Sequence, residues 1–362
     1  MKRSTIQRGG VSAAALTLVL GLAACGESDS GAAAGASASE SVSGSIKGMG
    51  ASSQQAAVEK WKADFETANA GATVNYDPQG SGAGREQFAA GAVDFAGTDS
   101  AFEDEELDAA KEACGGDIVQ VPAYVSPIAV AYKLDGVSEL NLSPDTLAQI
   151  MDRKITTWDD DAIAKDNPDA ELPSTKIVTV NRSDDSGTTK NFSDYLGQTA
   201  PDSWSYEAED AWPVKGGTAA KGTSGVVDAI GRGTGTIGYA DASQVGDLSV
   251  ASLKVGDEYV APSPESAAKI LDASEATSES ETDLAVDVAK DTEEAGVYPN
   301  VLVSYQVGCL TYDDAAKAKL VKAWMGYVTS EDGQAASAEA AGSAPLTAEW
   351  VEKATTAIDK IS

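Results

Sequence analysis

Three stretches of this chain share one pattern, in which an apolar β-branched run is followed by glycine and hydroxyl residues and then by helical spacing. The clearest is Asn181-Arg182-Ser183-Asp184-Asp185-Ser186-Gly187-Thr188-Thr189, which follows the apolar run 176–180 and precedes an amphipathic run from Lys190. That order predicts strand, turn and helix N-terminus. The first turn of a helix carries backbone N–H groups with no intrahelical partner and the positive end of the macrodipole. Ser186, Gly187 and Thr188 are therefore candidate donors to an oxyanion. Arg182 adds a forked, permanently charged donor, and Asp184, two residues on, is placed to orient the fork. A plain capped helix beside a surface arginine is the competing explanation. It loses weight because Gly48-Met49-Gly50-Ala51-Ser52-Ser53 and Gly80-Ser81-Gly82-Ala83-Gly84 repeat the pattern earlier in the chain.

The elements needed to hold these stretches can be read on either side of them. A strand over 45–50 leads into a helix whose Val58, Trp61, Phe65 and Ala68 share one face at spacings of three and four. A second strand (72–76), a helix from Gly80 and a third strand (93–97) follow, the last ending on Thr98-Asp99-Ser100. Alternation of this kind predicts an α/β layered lobe with its ligand at the carboxyl ends of the strands. Beyond an acidic helix over 103–114, two apolar strands (118–122 and 128–132) have the character of segments that cross between lobes. Ser143-Pro144 opens a helix as N-cap and first helical residue. Gly233-Thr234-Gly235-Thr236-Ile237-Gly238 matches a dinucleotide-binding pattern in letters only, because it leaves a helix and enters a strand, the reverse of what that chemistry requires. A hairpin is expected over 253–260, an acidic peripheral helical region over 263–296, a strand over 301–307, and helices over 313–329 and 347–361.

Composition narrows the function classes. The 362 residues carry 57 acidic and 26 basic side chains, a net charge of −31, which argues against nucleic acid or an anionic membrane surface as partner. An anion pocket is still compatible with that charge, since at a Debye length of about 8 Å a pocket feels its own donors rather than the distant surface. The chain contains no histidine, which excludes Ser-His-Asp and Cys-His nucleophiles and removes the commonest zinc ligand. No metal-ligand cluster is apparent, and no cofactor is expected. Residues 1–24 have the basic start and short apolar core of a signal peptide, ending in Leu22-Ala23-Ala24-Cys25. That ending resembles a bacterial lipoprotein signal, which makes Cys25 the expected lipidation site. Residues 25–44, mostly Ala, Gly and Ser, are expected to be a flexible tether. In an exported protein, Cys114 and Cys309 are expected to form a disulfide, two free buried thiols being the alternative. A chain of this length favours two lobes over one core.

Taken together, these pieces resemble the phosphate-binding receptors of bacterial ABC importers, the PstS family. The resemblance rests on Gly48 to Ser53, Gly80-Ser81-Gly82, Val93 to Asp99 and Arg182 to Thr188, with Ile155-Thr156-Thr157-Trp158 and Gly235 to Tyr239, all in the family's order. It implies a two-lobed α/β fold of the type II periplasmic-binding-protein class, each lobe a mixed sheet flanked by helices and joined by hinge strands. It implies phosphate donors at Ser52, Ser53, Ser81, Arg182, Ser186, Gly187 and Thr188, one anionic acceptor at Asp99, and Asp184 orienting Arg182. The family usually has Thr-Phe where this chain has Ser52-Ser53, so at Ser53 only the backbone donor carries over. Lobe I is expected over 45–123 plus 298–362 and lobe II over 124–297, and a Cys114–Cys309 bond fits that split. The expected setting is the outer face of the cytoplasmic membrane, where a lipid-anchored monomer delivers phosphate to an ABC permease.

Chemistry supports Asp99 independently of the family. A carboxylate repels an anion unless the anion brings a proton for it to accept; phosphate at neutral pH does, whereas sulfate and molybdate do not. Receptors for those ions are the nearest rival reading. A Ser-based hydrolase would need an activated nucleophile, and Ser186 has only Lys190 nearby in sequence. An adhesin or scaffold lipoprotein would have no buried anion site.

Overall fold

The computed structural model describes residues 41–362 except Glu103 and Ala273. The signal peptide, Cys25 and most of the tether lie outside the described residues. One long sheet forms the frame. Its first half contains β1 (Ser43–Gly50), β2 (Gly71–Asp77) and β3 (Phe95–Thr98), with β1 parallel to both neighbours. The strand Val301–Cys309 runs antiparallel to β3 and carries the sheet on to β4 (Ile118–Lys133).

β4 is the element that joins the two halves. The sequence reading expected two strands here, but the chain continues through Pro122 and Pro127 as one strand of 16 residues. Residues 118–127 pair with Val301–Cys309. Residues 128–133 pair with β8 (Thr236–Asp241), which leads to β6 (Val178–Arg182) and β7 (Thr218–Ala220). Proline cannot donate to a ladder, and the register slips beside Pro122: Tyr305 faces Pro122 while Ser304 faces Tyr124, which leaves Ala123 as a bulge. The remaining strand of this first series, β5 (Asn141–Leu142), belongs to a small separate sheet with the expected hairpin of Ser252–Val255 and Glu258–Val260.

The helices follow from periodicity and capping. Helix α1 (Gln55–Ala68) buries Ala57, Val58, Trp61 and Phe65, the face expected from their spacing. α2 (Ser81–Ala89) and α3 (Asp104–Cys114) complete the first half. In the second half, α4 (Pro144–Met151) starts at Ser143, whose side chain accepts from Thr146 N, and α5 (Asp161–Asp166) is capped by Asp160. α6 (Gly187–Thr199) and α7 (Gly222–Arg232) both begin where strands of the sheet end.

Two further expectations need correction. The region 263–296 is helical only at Pro264–Asp272; its two-residue strands Glu275–Ala276 and Val286–Asp287 and the buried Ala285, Val288 and Lys290 pack it against the body. Buried apolar residues there were diluted among acids, which hid them from a composition reading. The C-terminal region contains an unexpected helix, Glu331–Ala341, so rich in Ala, Ser and Gly that it has little apolar periodicity to read. The cysteines do pair: a disulfide joins Cys114 at the end of α3 to Cys309, 195 residues later.

Candidate functional site

The sheet delivers four helix starts and loops to one place, at the carboxyl ends of β1, β3 and β6. Asp99, just past β3, lies at the centre and is 3% exposed. Ser53 Oγ lies 2.7 and 2.8 Å from its two carboxylate oxygens and donates to them, Thr188 Oγ1 donates to Oδ2 at 2.9 Å, and Ser304 Oγ donates to Oδ1 at 2.5 Å. The backbone N–H of Asp99 donates to Ser81 Oγ at 3.1 Å, and its carbonyl accepts from Asn191 Nδ2 at 2.7 Å. Burial raises the Asp99 carboxyl above its ordinary value, and the hydrogen bonds from Ser304, Ser53 and Thr188, with the charge of Arg182, pull against that rise. The side chain is thus committed to neighbouring hydroxyls.

Arg182 ends β6 with its side chain 3% exposed. It forms a two-pronged pair with Asp184, Nε to Oδ1 at 2.8 Å and Nη2 to Oδ2 at 2.6 Å. Burial alone would raise Asp184, but hydrogen bonds and charge from Arg182, with the Gly222 N–H, hold it below its ordinary value. The pair faces the first half of the sheet across Gly80, whose φ of +114° suits glycine alone and where a Cβ would lie 2.8 Å from Asp184 Oδ2. Ser186 caps α6 by accepting from Thr189 N at 3.3 Å. Gly187 packs directly on Asp99 and Ser81. Ser52 is turned aside: its hydroxyl accepts from Thr223 N at 3.1 Å.

Of the residues singled out in the sequence, Ser53, Ser81, Asp99, Gly187 and Thr188 form one contiguous cluster. The Arg182–Asp184 pair lies beside it, behind Gly80. Ser52 and Ser186 hold its edges by bonds to the starts of α7 and α6. Contacts between the two halves ring the cluster. Gln244 Nε2 donates to the carbonyls of Ser52 and Ser53 at 2.8 and 3.1 Å, and Lys221 donates to Gln79 Oε1 at 2.6 Å. Arg85, 5% exposed, pairs with Glu106 at 2.8 Å and with Asp210 across the divide. Sequence reasoning missed Ser304, Asn191, Gln244 and Arg85. For Ser304 a signal existed: Ser304 and Gln306 fall on the same face of an otherwise apolar strand, where polar side chains need a reason to be buried. Among the described residues, no group of three or more acidic or cysteine side chains is arranged to hold a metal.

Hydroxyl donors from both halves thus converge on one buried carboxylate, beside the start of α6 and an arginine held by Asp184, a set of groups suited to a small oxyanion that carries a proton. Residues 35–332 match the family model of the PBP superfamily domain. The chain is 34% identical over 354 residues to "Phosphate-binding protein PstS 3" of Mycobacterium tuberculosis, with 94% of this chain and 95% of that one covered. It is 33% identical over 318 residues to the protein of that name from Mycobacterium leprae, covering 84% and 86%. Among solved structures, the phosphate-bound, high-affinity periplasmic phosphate-binding protein PfluDING superposes with a TM-score of 0.72 at 22% identity, covering 85% of this chain and 92% of that one. The phosphate-binding protein of Stenotrophomonas maltophilia does so at 0.68 and 20%, covering 86% and 93%. At those identities the superpositions speak for the fold.

Proposed function

We propose that this chain, which belongs to the PBP superfamily and within it to the PstS phosphate-binding proteins, captures inorganic phosphate and hands it to an ABC permease. The observation that carries this reading is Asp99, a carboxylate buried among hydroxyl donors beside the start of α6 and the Arg182–Asp184 pair. Phosphate can donate its proton to Asp99 while its other oxygens accept from the N-terminus of α6, from Ser53 and Ser81, and from Arg182 held rigid by Asp184. Ser52 and Ser186 anchor the loops that carry these donors. A site built around a ligand's hydrogen bond can reject an isostere lacking it by roughly 10⁴–10⁵. Sulfate, fully ionised, would bring no proton for the buried carboxylate of Asp99 and would be repelled by its charge.

The donors come from both halves of the sheet, so capture would proceed by closure of two lobes about β4 and the strand Val301–Cys309. We assign 45–123 plus 298–362 to lobe I and 124–297 to lobe II, with the disulfide tying the two segments of lobe I together. The receptor works without a cofactor, as a monomer held outside the cytoplasm by lipid on Cys25; among the described residues no helix is long and apolar enough to cross a membrane. The reading is one of binding rather than catalysis.

Calorimetric titration of the full chain in mild detergent, freed of co-purified ligand, tests it. The expected result is tight one-to-one binding of phosphate and no heat from sulfate. Arg182→Ala should weaken phosphate binding by several kcal/mol, on the order of the 2–5 kcal/mol lost when one partner of a buried charge pair is removed. Unchanged affinity in that variant would place the site elsewhere.

A further inference from the structure

Behind Asp99, a chain of polar side chains runs through the core of the first half. Trp324 Nε1 donates to Gln306 Oε1 at 3.3 Å, Gln306 Nε2 donates to Gln54 Oε1 at 2.8 Å, and Gln54 Nε2 donates to Ser304 Oγ. Ser304 Oγ in turn donates to Asp99 Oδ1. All four side chains in front of the carboxylate are fully buried, at 0% exposure, between α1, the strand Val301–Cys309 and the helix Ala315–Thr329.

The chain has a direction, and its origin determines that direction. An indole N–H can only donate, so Gln306 must turn its oxygen toward Trp324 and its NH₂ toward Gln54. Gln54 must then offer its oxygen to Gln306 and its NH₂ to Ser304. With a lone pair of Ser304 occupied by Gln54, the hydroxyl hydrogen is left for Asp99. No flip of either amide is neutral, because each would set donor against donor or oxygen against oxygen in a dry interior.

Building on the phosphate reading, we propose that the Trp324–Gln306–Gln54–Ser304 relay is a positioning device that locks Ser304 as a donor to Asp99 and so keeps that buried carboxylate ionised, ready to accept the ligand's proton. Ser53 and Thr188 also donate to Asp99, but Ser53 sits on the first loop and Thr188 on α6, the elements that supply donors to the ligand in the phosphate reading. Ser304 lies on a core strand, its bulge-flanked register held by β4. Its donation is the one that does not depend on ligand or closure. The charged and titratable groups that also bear on Asp99 are Arg182 on β6, Tyr76 on β2 and Asp241 on β8, while Lys190 and Asp194 on α6, Asp287, Lys290 and Tyr305 line the cavity beside it. Of these, Arg182 favours the charged form of Asp99, and the charge of Asp99 in turn helps to keep Asp241 protonated.

Loss of the relay should leave Asp99 protonated at higher pH. A neutral carboxyl can donate to an anion, so sulfate would then be admitted. The test is titration of the full chain with phosphate and with sulfate over a range of pH. In the unaltered protein sulfate binding should appear only as the solution becomes acidic. In Ser304→Ala its onset should move upward by about one pH unit or more, with the sulfate-to-phosphate Kd ratio falling about tenfold or more, since hydrogen bonds to charged groups are the stronger class. Ser304→Thr, which keeps the hydroxyl, should restore the profile. Gln306→Met, remote from the pocket, should shift it in the same direction by freeing Gln54 to turn, and it decides the question if Ser304→Ala does not fold. Profiles for Ser304→Ala and Gln306→Met that superimpose on the unaltered protein would refute the relay while leaving phosphate capture intact. No phosphate binding by the unaltered protein would refute the capture reading first, and the relay's role with it.

Discussion

Gly187 offers the sharpest test of closure, because its substitution leaves every donor in place. It is the first residue of α6, it does not have a positive φ, and alanine there suits the helix. Replacing a glycine without strain tends to stabilise a chain by about 0.4–1 kcal/mol through the unfolded state. Across the divide the situation is different. A Cβ on Gly187 would lie 2.7 Å from Asp99 Cβ, 2.9 Å from the Asp99 carbonyl carbon and 2.9 Å from Ser81 Oγ. Two of these three neighbours are main chain or the root of a side chain, so they cannot swing aside. The two halves would have to part by a fraction of an ångström or more, and an overpacked contact costs about 1–3 kcal/mol. Gly187→Ala should therefore bind phosphate about 5- to 150-fold more weakly. Calorimetry reads the affinity, and thermal unfolding with and without phosphate separates the causes. A 100-fold loss in affinity removes up to about 2.7 kcal/mol of ligand-induced stabilisation at saturating phosphate. The ligand-free melting temperature should stay level or rise. Affinity within twofold of the unaltered protein would show that Gly187 does not meet Asp99 when phosphate is bound, and the closure argument would fail.

Other expectations concern stability. Burial pushes the Asp241 carboxyl from 3.8 to about 7, against hydrogen bonds from Ser243 and Ser126 and with the charge of Asp99 adding to the rise. Between those values the folded chain keeps a proton that the unfolded chain has released, so stability should fall as pH rises through that window. Asp241→Asn should flatten this part of the melting-temperature profile; an identical slope in the variant would assign the effect elsewhere. Reduction of the Cys114–Cys309 disulfide opens a loop spanning 195 residues and should cost about 5 kcal/mol in the chain-entropy model. An unchanged melting temperature under reductant would mean that the unfolded chain is compact enough without it.

Much of the site was legible because its chemistry is local. Arg182, Asp184, Ser186, Gly187 and Thr188 lie within seven consecutive residues, and a strand that ends in a helix start displays them together whatever surrounds it. Ser53 illustrates a partial reading. Its position was evident, but the resemblance carried over only its backbone donor, and the hydroxyl bonded to both oxygens of Asp99 appeared with the structure. The acidic stretch over 263–296 went the other way: its composition suggested a peripheral helix, while Lys290 within it is buried, donating to Asn191 Oδ1 at 3.0 Å and to Asp194 Oδ2 at 2.6 Å on α6.

What the amino-acid order determined alone was the set of local units, meaning caps, turns, amphipathic faces and the anion-binding helix starts, because each depends on residues a few positions apart. Tertiary structure decided which units meet. Asp99 receives its hydroxyls from Ser53, Thr188 and Ser304, partners 46, 89 and 205 residues away, and no periodicity links them. The physical reason lies in the sheet. β4 passes from one half to the other and pairs with Val301–Cys309, which brings the end of the chain back beside its beginning and places a core serine behind the acceptor.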